Sequence, residues 1–596
     1  MRRLLLPLQF VLLVLLAYAY LYPGSQALID QRTDTVMSDD TDPATLPYQY
    51  GNLIKVWEEH PSRLFLGTVY YEGHDPEFGM AYWMPWCERW IVLFWSNFFP
   101  VEQLSTALIF TLMLLNGLCM YGLARYLDWN ISVSSGLALA WAFCAYTRAR
   151  AKVHGAMVGI YHLPLLFLGL FLVTRGKGRK SLLGAAACFL GAVTAATYYI
   201  MNSLFLAPFF LLFLVFQPEA RQNPKRVSAR LAVALLPAML FLAFNYFKTI
   251  PSDARMSTAQ SYPQGGEIAD GSTHPYLYYY AAHPIDYLGG DISLHNIPDD
   301  PSPARQWINE KIIDSIRGTP SNTHERTNGI RWSLLIIAAA ALVFLALGRF
   351  KDDKITKNNL IFFTLFALFT FWLSLSPDVP FKSMGPSLWL QSLVHQMRVP
   401  SRAGINVNFA VLMIVGFFLA GKIRWRKLVY LPGVFPLLMV AGYPPLVQNM
   451  PMAPIRPPYT ELLRDKGECG AGMYFPFVSF YQAGNIEYIL LQRMRGSDCK
   501  ILNAMMNVNR VKFLLQRFPP AYDYLRQLDH DQTRTAETLE RYARCVPLTW
   551  LIFDGATPQQ WREDLCHRLG WTLYPDLTCV SPNKGQPLQR YPDDCG

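Results

Sequence analysis

LLLPLQFVLLVLLAYAYLYP, residues 4–23, follows directly on Met1-Arg2-Arg3 and holds no charged side chain. As an α-helix it is about 30 Å long, the thickness of the hydrocarbon core of a bilayer. A secretory signal has a shorter apolar core and ends in a small-residue cleavage site, and Ser25-Gln26-Ala27 is a weak one. The stretch therefore reads as an uncleaved first membrane helix with its basic start held inside. Composition extends that reading to the whole chain. Of 596 residues, 52% are hydrophobic and 16% charged, where a soluble protein carries about 25% charge. The mean hydropathy is +0.16. Aromatic residues make up 14%, with 15 Trp and 32 Tyr, which suits interfacial belts and ring-lined clefts. A net charge of +10 would suggest nucleic acid in a soluble chain. Here Lys and Arg gather in short loops between apolar runs, so no nucleic-acid partner is expected.

Apolar runs recur near residues 4–22, 103–125, 131–147, 156–174, 181–199, 202–217, 228–247, 331–348, 358–376, 405–423 and 428–446, about eleven spans of bilayer length. With the N-terminus inside, the inside loops include TRGKGRK (174–180), QPEARQNPKR (217–226), GRFKDDKITK (348–357) and GKIRWRK (421–427). All are basic, as cytoplasmic loops are. The expected fold is a polytopic α-helical membrane protein. Residues 1–446 form its transmembrane domain, with extracytoplasmic loops 23–102, 248–330 and 377–404. Residues 447–596 form an extracytoplasmic mixed α/β domain. Within that tail MYFPFV (473–478) and WLIFD (550–554) read as buried strands. TAETLERYAR (535–544) and PQQWREDLCHRLG (558–570) read as amphipathic helices, and PMAPIRPPY (451–459) as a linker. Six of the ten cysteines lie in the tail: Cys469, Cys499, Cys545, Cys566, Cys579 and Cys595. An even set in an exported domain predicts disulfides, with the pairing left open.

Two charge clusters carry the chemistry. No ionisable residue falls in the middle of an expected span, which argues against an ion-coupled transporter. The first outside loop instead holds RTDTVMSDDTDP (32–43) and GTVYYEGHDPEFGMAYW (67–83). Asp39, Asp40 and Asp42 in the former, and His74 and Asp75 in the latter, can act as a general base or hold a divalent cation. A solvated loop with Asp–Pro turns is the plain alternative. TRARAKVHG (147–155) is the one outside loop that defies the positive-inside pattern, with Arg148, Arg150, Lys152 and His154. An anionic ligand explains such a cluster. Arg148 and Arg150 face one side if the segment is extended and diverge if it is helical. QMRVPSRAG (396–404) adds Arg398 and Arg402 around Pro400, at the start of a span. Tyr198, Tyr199 and Asn202 in TYYIMN (197–202), and His283 in YYYAAHPIDYLGGD (278–291), are further polar groups expected at the outer surface.

This order is one N-terminal helix, an acidic first loop with Asp39 and Asp40, Arg148…His154-Gly155, Arg398-Val399-Pro400-Ser401-Arg402 and an outside tail. It resembles the GT-C superfamily of integral membrane glycosyltransferases, and within it the bacterial YfhO-like branch. The resemblance implies transfer of a sugar from a polyprenyl-phosphate donor to a glycan, lipid or protein acceptor of the cell envelope, at the bacterial inner membrane. It implies that an Asp of the first loop, Asp40 or Asp39, is the base. Arg148, Arg150, Lys152, His154, Arg398 and Arg402 would then hold the donor phosphate, and Asp42, His74, Asp75, Tyr198, Asn202 and His283 would be substrate-binding candidates. No cofactor is required, because arginines can stabilise the leaving phosphate, while the adjacent carboxylates leave room for a divalent cation. A lipid-linked sugar carrier or flippase, or a non-catalytic envelope-assembly protein, are the rival readings.

Overall fold

The computed structural model describes residues 2–32, 35–37, 50–51, 53–54, 57–58, 69–71, 80–82, 85–153, 155–247, 281–288, 328–350, 353–376, 385–393, 400–420, 452–454, 471–475, 500–501, 548–553, 559–573 and 578–581. Helix dominates up to residue 420. α1 (Arg2–Tyr20), α2 (Gly24–Ile29), α3 (Trp86–Trp95) and α4 (Leu104–Tyr126) come first. Next are α5 (Ile131–Ala142), α6 (Ala145–Val153), α7 (His162–Arg175), α8 (Gly178–Ala192), α9 (Thr197–Phe205), α10 (Ala207–Phe216), α11 (Pro218–Gln222) and α12 (Pro224–Phe247). Then follow α13 (Pro284–Leu288), α14 (Trp332–Ala346), α15 (Lys354–Ser374), α16 (Pro386–Leu393), α17 (Gly404–Ala420) and, in the tail, α18 (Gln559–Arg568).

Every expected span meets helix except 428–446, which lies outside the described residues. Helix is not the same as span, however. Among the described residues four stretches are long and apolar enough to cross a membrane: Val101–Tyr126, Pro224–Phe244, Lys354–Ser374 and Pro400–Ala420. α9 and α10 make a fifth if taken as one span bent by 53°. The bend falls where Pro208 enters the first turn of α10, since proline has no N–H to return to a carbonyl of the preceding turn. The apolar stretches Phe10–Tyr20, His162–Arg175 and Trp332–Ala346 are shorter. The expected run 131–147 is divided. α5 starts on a firm cap, the Asn130 side chain accepting the Val133 N–H at 2.8 Å. It stops at Phe143, which leaves helical geometry (φ −115°, ψ 30°), and α6 begins at Ala145.

α5 is buried from Ser132 to Ala142, and its small Ser, Gly and Ala residues let neighbouring helices approach closely. Phe167 of α7 lies 5.1 Å from Phe363 of α15, 5.1 Å from Phe409 of α17 and 5.5 Å from Phe213 of α10. In lipid such rings gain little from leaving water, so close contact and ring-edge geometry hold the four helices together. Asn359 of α15 accepts from Gln217 Nε2 at 3.0 Å in a buried amide pair. α15 itself starts on Asp353, which accepts from the Thr356 N–H at 3.0 Å. Gly416 of α17 is required by contact: a Cβ there would lie 2.1 Å from the Trp129 ring.

Two strands tie the first loop to the start of the tail. β1 (Thr35–Met37) pairs antiparallel with β4 (Met452–Pro454), Val36 opposite Ala453, so part of the expected 451–459 linker is strand. Pro454 is itself in the pairing, opposite Thr35, as an edge strand permits. β2 (Val69–Tyr71) and β3 (Met80–Tyr82) form a hairpin pair. In the tail β5 (Ala471–Phe475), β6 (Lys500–Ile501), β7 (Leu548–Phe553), β8 (Thr572–Leu573) and β9 (Thr578–Val580) form a mixed sheet of order β6-β5-β7-β9-β8. β5 runs parallel to β6 and β7, and β9 antiparallel to β7 and β8. Leu551 and Phe553 alternate into the buried face, where Trp561 of α18 meets the Phe553 ring edge-on at 6.2 Å. Cys566 of α18 is bonded to Cys579 of β9. The expected helix 535–544 lies outside the described residues.

Candidate functional site

The RARAK segment is helical, not a loop. Its Ala, Arg and Lys residues are good helix formers, and α6 carries it from Ala145 to Val153. Arg148 and Arg150 therefore diverge, and both are buried, at 2% and 0% exposure. The Arg148 guanidinium sits 5.6 Å from the centre of the Tyr20 ring at the end of α1, and the Tyr20 hydroxyl donates to the Arg148 carbonyl at 3.1 Å. Arg150 lies 4.9 Å over the ring of Tyr146, one turn back on α6. A cation over an aromatic face recovers part of what burial costs it.

The Tyr146 side leads to the second basic motif. The Tyr199 hydroxyl at the start of α9 lies 3.1 Å from that of Tyr146 and 2.5 Å from the Met157 carbonyl. The Tyr199 hydroxyl is the donor in both contacts, sharing its proton between the Met157 carbonyl and the Tyr146 oxygen. The His162 ring stacks on Tyr199 with centroids 4.6 Å apart and planes 10° apart. On the neighbouring residue, the Tyr198 ring lies under the Arg402 guanidinium at 4.8 Å. Arg150 and Arg402 are both close enough to the Tyr199 hydroxyl to act on it electrostatically. Two motifs separated by some 250 residues thus converge on Tyr198-Tyr199.

Polar contacts fix the surroundings of Arg402. Asn328 donates to the Ser401 carbonyl at 2.9 Å, and Asn408 of α17 donates to the Asn328 carbonyl at 3.2 Å. A Cβ on Gly404 would lie 2.3 Å from Asn328 Oδ1, so only glycine admits this approach. The 281–288 segment is bound to the end of α15: the Ala282 N–H donates to the Ser374 carbonyl at 2.9 Å, and the Tyr287 and Ser374 hydroxyls are 2.5 Å apart. The His283 N–H donates to Asp286 at 2.7 Å. This places His283 on the turn leading into α13.

Asn202 is 3% exposed on α9, one turn beyond Tyr198 and Tyr199. Lys152 lies on α6, its side chain outside the described residues. Asp39, Asp40, Asp42, His74, Asp75, His154 and Arg398 also lie outside them. β1 ends at Met37, two residues before Asp39, and Gln103 Nε2 holds the base of that loop by donating to the Arg32 carbonyl at 3.0 Å. Among the described residues no group of three His, Cys, Asp or Glu side chains can hold a metal ion.

Four residues now prominent were passed over in the sequence: Tyr20, Tyr146, His162 and Glu88. Tyr146 and Arg150, spaced i and i+4, gave a signal for helical stacking. His162 lies within an expected span, although not at its middle. Glu88, on α3, is 2% exposed. Burial pushes its carboxyl up to about 7, against the opposing pull of the Tyr50 hydroxyl, which donates to Oε1 at 3.0 Å, and of the Arg89 cation.

No family model matches the chain, and no curated protein matches it. Among solved structures the chain is similar to the apo form of the Archaeoglobus fulgidus oligosaccharyltransferase, with 11% sequence identity, a TM-score of 0.41, and coverage of 91% of this chain and 69% of that one. At that score the likeness assigns neither fold nor activity.

Proposed function

We propose that this protein is a membrane glycosyltransferase that moves a sugar from a polyprenyl-phosphate donor to an extracytoplasmic acceptor. The carrying observation is the convergence of Arg150 and Arg402 on Tyr198-Tyr199 at the start of a bent helix pair. Cations in a site shielded from water stabilise charge developing on a leaving phosphate far better than exposed ones do. Arginine suits this role through its fork of donors. The acceptor hydroxyl loses its proton to Asp40 or Asp39 and attacks the anomeric carbon with inversion. The polyprenyl phosphate leaves toward Arg150 and Arg402, with Arg148, Lys152, His154 and Arg398 completing the basic region. The pairing of β1 with β4 supports a role for the tail in positioning the acceptor, since β1 leads into the acidic loop. The resemblance of the motifs favours the bacterial inner membrane, with the N-terminus inside and the tail outside. A divalent cation on the acidic loop is compatible with this scheme and not required by it.

A carrier that binds the same lipid without chemistry is the second reading, favoured by the bent pair α9–α10, since broken helices recur in transporters. One experiment separates them. Asp39→Asn/Asp40→Asn is expected to abolish sugar transfer from an undecaprenyl-phosphate sugar while leaving its binding unchanged. Arg150→Ala and Arg402→Ala are each expected to weaken undecaprenyl phosphate binding about tenfold. Transfer at the normal rate by the double Asp variant removes the proposed base. Unchanged lipid-phosphate affinity in both Arg variants removes the proposed phosphate site.

A further inference from the structure

Two buried polar atoms flank Tyr199 with no hydrogen-bond partner among the described residues: His162 Nδ1 and Asn202 Oδ1. Each residue is 3% exposed. Burying such atoms unsatisfied is costly, so they point to something that completes them when bound. Their positions are tied to the cations. His162 stacks on Tyr199, whose hydroxyl is bonded to that of Tyr146 under Arg150 and whose neighbour Tyr198 lies under Arg402. Asn202 stands three residues beyond Tyr199 and four beyond Tyr198 on α9, on the same helical face as both.

The chemistry of these atoms selects the ligand group. An amide oxygen accepts hydrogen bonds and cannot donate one. A phosphate oxygen is itself an acceptor and cannot satisfy it, and a prenyl chain offers nothing. A hydroxyl both donates and accepts, so it completes the Asn202 oxygen and serves the His162 nitrogen in either tautomer. The flat His162–Tyr199 stack adds an aromatic surface of the kind ring-lined clefts present. We infer that His162 and Asn202 form the subsite for the hydroxyl groups of the donor sugar, beside the arginines that take its phosphate. This rests on the transferase reading and assigns the sugar end of the same site.

The test compares undecaprenyl phosphate with undecaprenyl-phosphate glucose, galactose, mannose, N-acetylglucosamine and arabinose, binding to the full-length protein in nanodiscs. The wild type is expected to bind at least one glycolipid more tightly than the bare lipid phosphate. His162→Phe keeps the ring stack and removes the nitrogens, and Asn202→Leu keeps the bulk and removes the amide. Each is expected to erase about tenfold of the preference for the sugar, the effect of one lost hydrogen bond, while binding bare undecaprenyl phosphate as the wild type does. A preference unchanged in both variants, no sugar preference in the wild type, or equal losses for bare and glycosylated lipid would overturn the subsite. Failure of the wild type to bind undecaprenyl phosphate at all would instead sink the transferase reading, so the two failures are distinguishable. Thermal unfolding of both variants, expected within a few degrees of the wild type, separates loss of binding from loss of fold.

Discussion

Glu88→Gln tests whether burial of this carboxyl is a strain that the fold carries at neutral pH. The carboxyl is held up to about 7 in the folded protein, against an ordinary 4.5. Below pH 4.5 it is protonated whether the chain is folded or not, and it contributes no pH dependence. Between 4.5 and 7 the folded state keeps a proton that the unfolded state has released, so stability falls as pH rises. Above 7 the side chain is ionised in both states and the loss is complete. The difference of about 2.5 in pKa corresponds to about 3 kcal/mol. Glutamine stays neutral throughout and still offers an oxygen to Tyr50, so it escapes that loss. Thermal unfolding in detergent, followed by tryptophan fluorescence at pH 5 and pH 8, is the assay. The wild type is expected to melt lower at pH 8 relative to Glu88→Gln, and the gap is expected to close toward pH 5. A gap of the same size at both pH values, or one that opens toward acid, refutes the reasoning.

Other outcomes follow from contacts. Gly416→Val places side-chain atoms inside the buried Trp129 ring and is expected to cost about 3 kcal/mol or more of stability, read as loss of folded protein on size-exclusion chromatography. Tyr199→Phe breaks the Tyr146–Tyr199–Met157 chain, leaving the Met157 carbonyl without this donor. It is expected to cost about 1–2 kcal/mol, seen as a lower melting temperature with the His162 stack retained. Cys566→Ser/Cys579→Ser removes the one crosslink between α18 and β9 that the described residues contain. For a loop of this length the loss is about 3 kcal/mol, and limited proteolysis is expected to cleave the tail faster while sparing α15 and α17.

The sequence made the helical bundle readable because a bilayer imposes one length and one composition on whatever crosses it. It was less able to separate full spans from shorter buried helices. α5 and α7 are as apolar as true spans because both are enclosed by other helices, and periodicity alone does not distinguish lipid from protein as the apolar partner. The site divides in the same way. Arg148 and Arg150 stood out because they broke a charge pattern, and Arg402 because it stands beside Pro400 at the start of a span. Tyr20, Tyr146 and His162 did not, since their importance comes from contacts between distant helices. The 145–153 helix was legible from its helix-forming residues, yet its position at a span end favoured the loop reading. β4 escaped notice because its partner β1 is more than 400 residues away, and three residues with a proline carry no periodic signal of their own.

The most direct measurement is a structure of the protein with undecaprenyl phosphate bound. The account predicts the phosphorus within hydrogen-bonding reach of Arg150 and Arg402, about 4 Å from the guanidinium nitrogens, with the acidic loop at Asp39 and Asp40 facing the same space. A phosphate bound instead near Arg175 and Arg230, where α7, α8 and α12 meet, with Arg150 and Arg402 untouched, contradicts it.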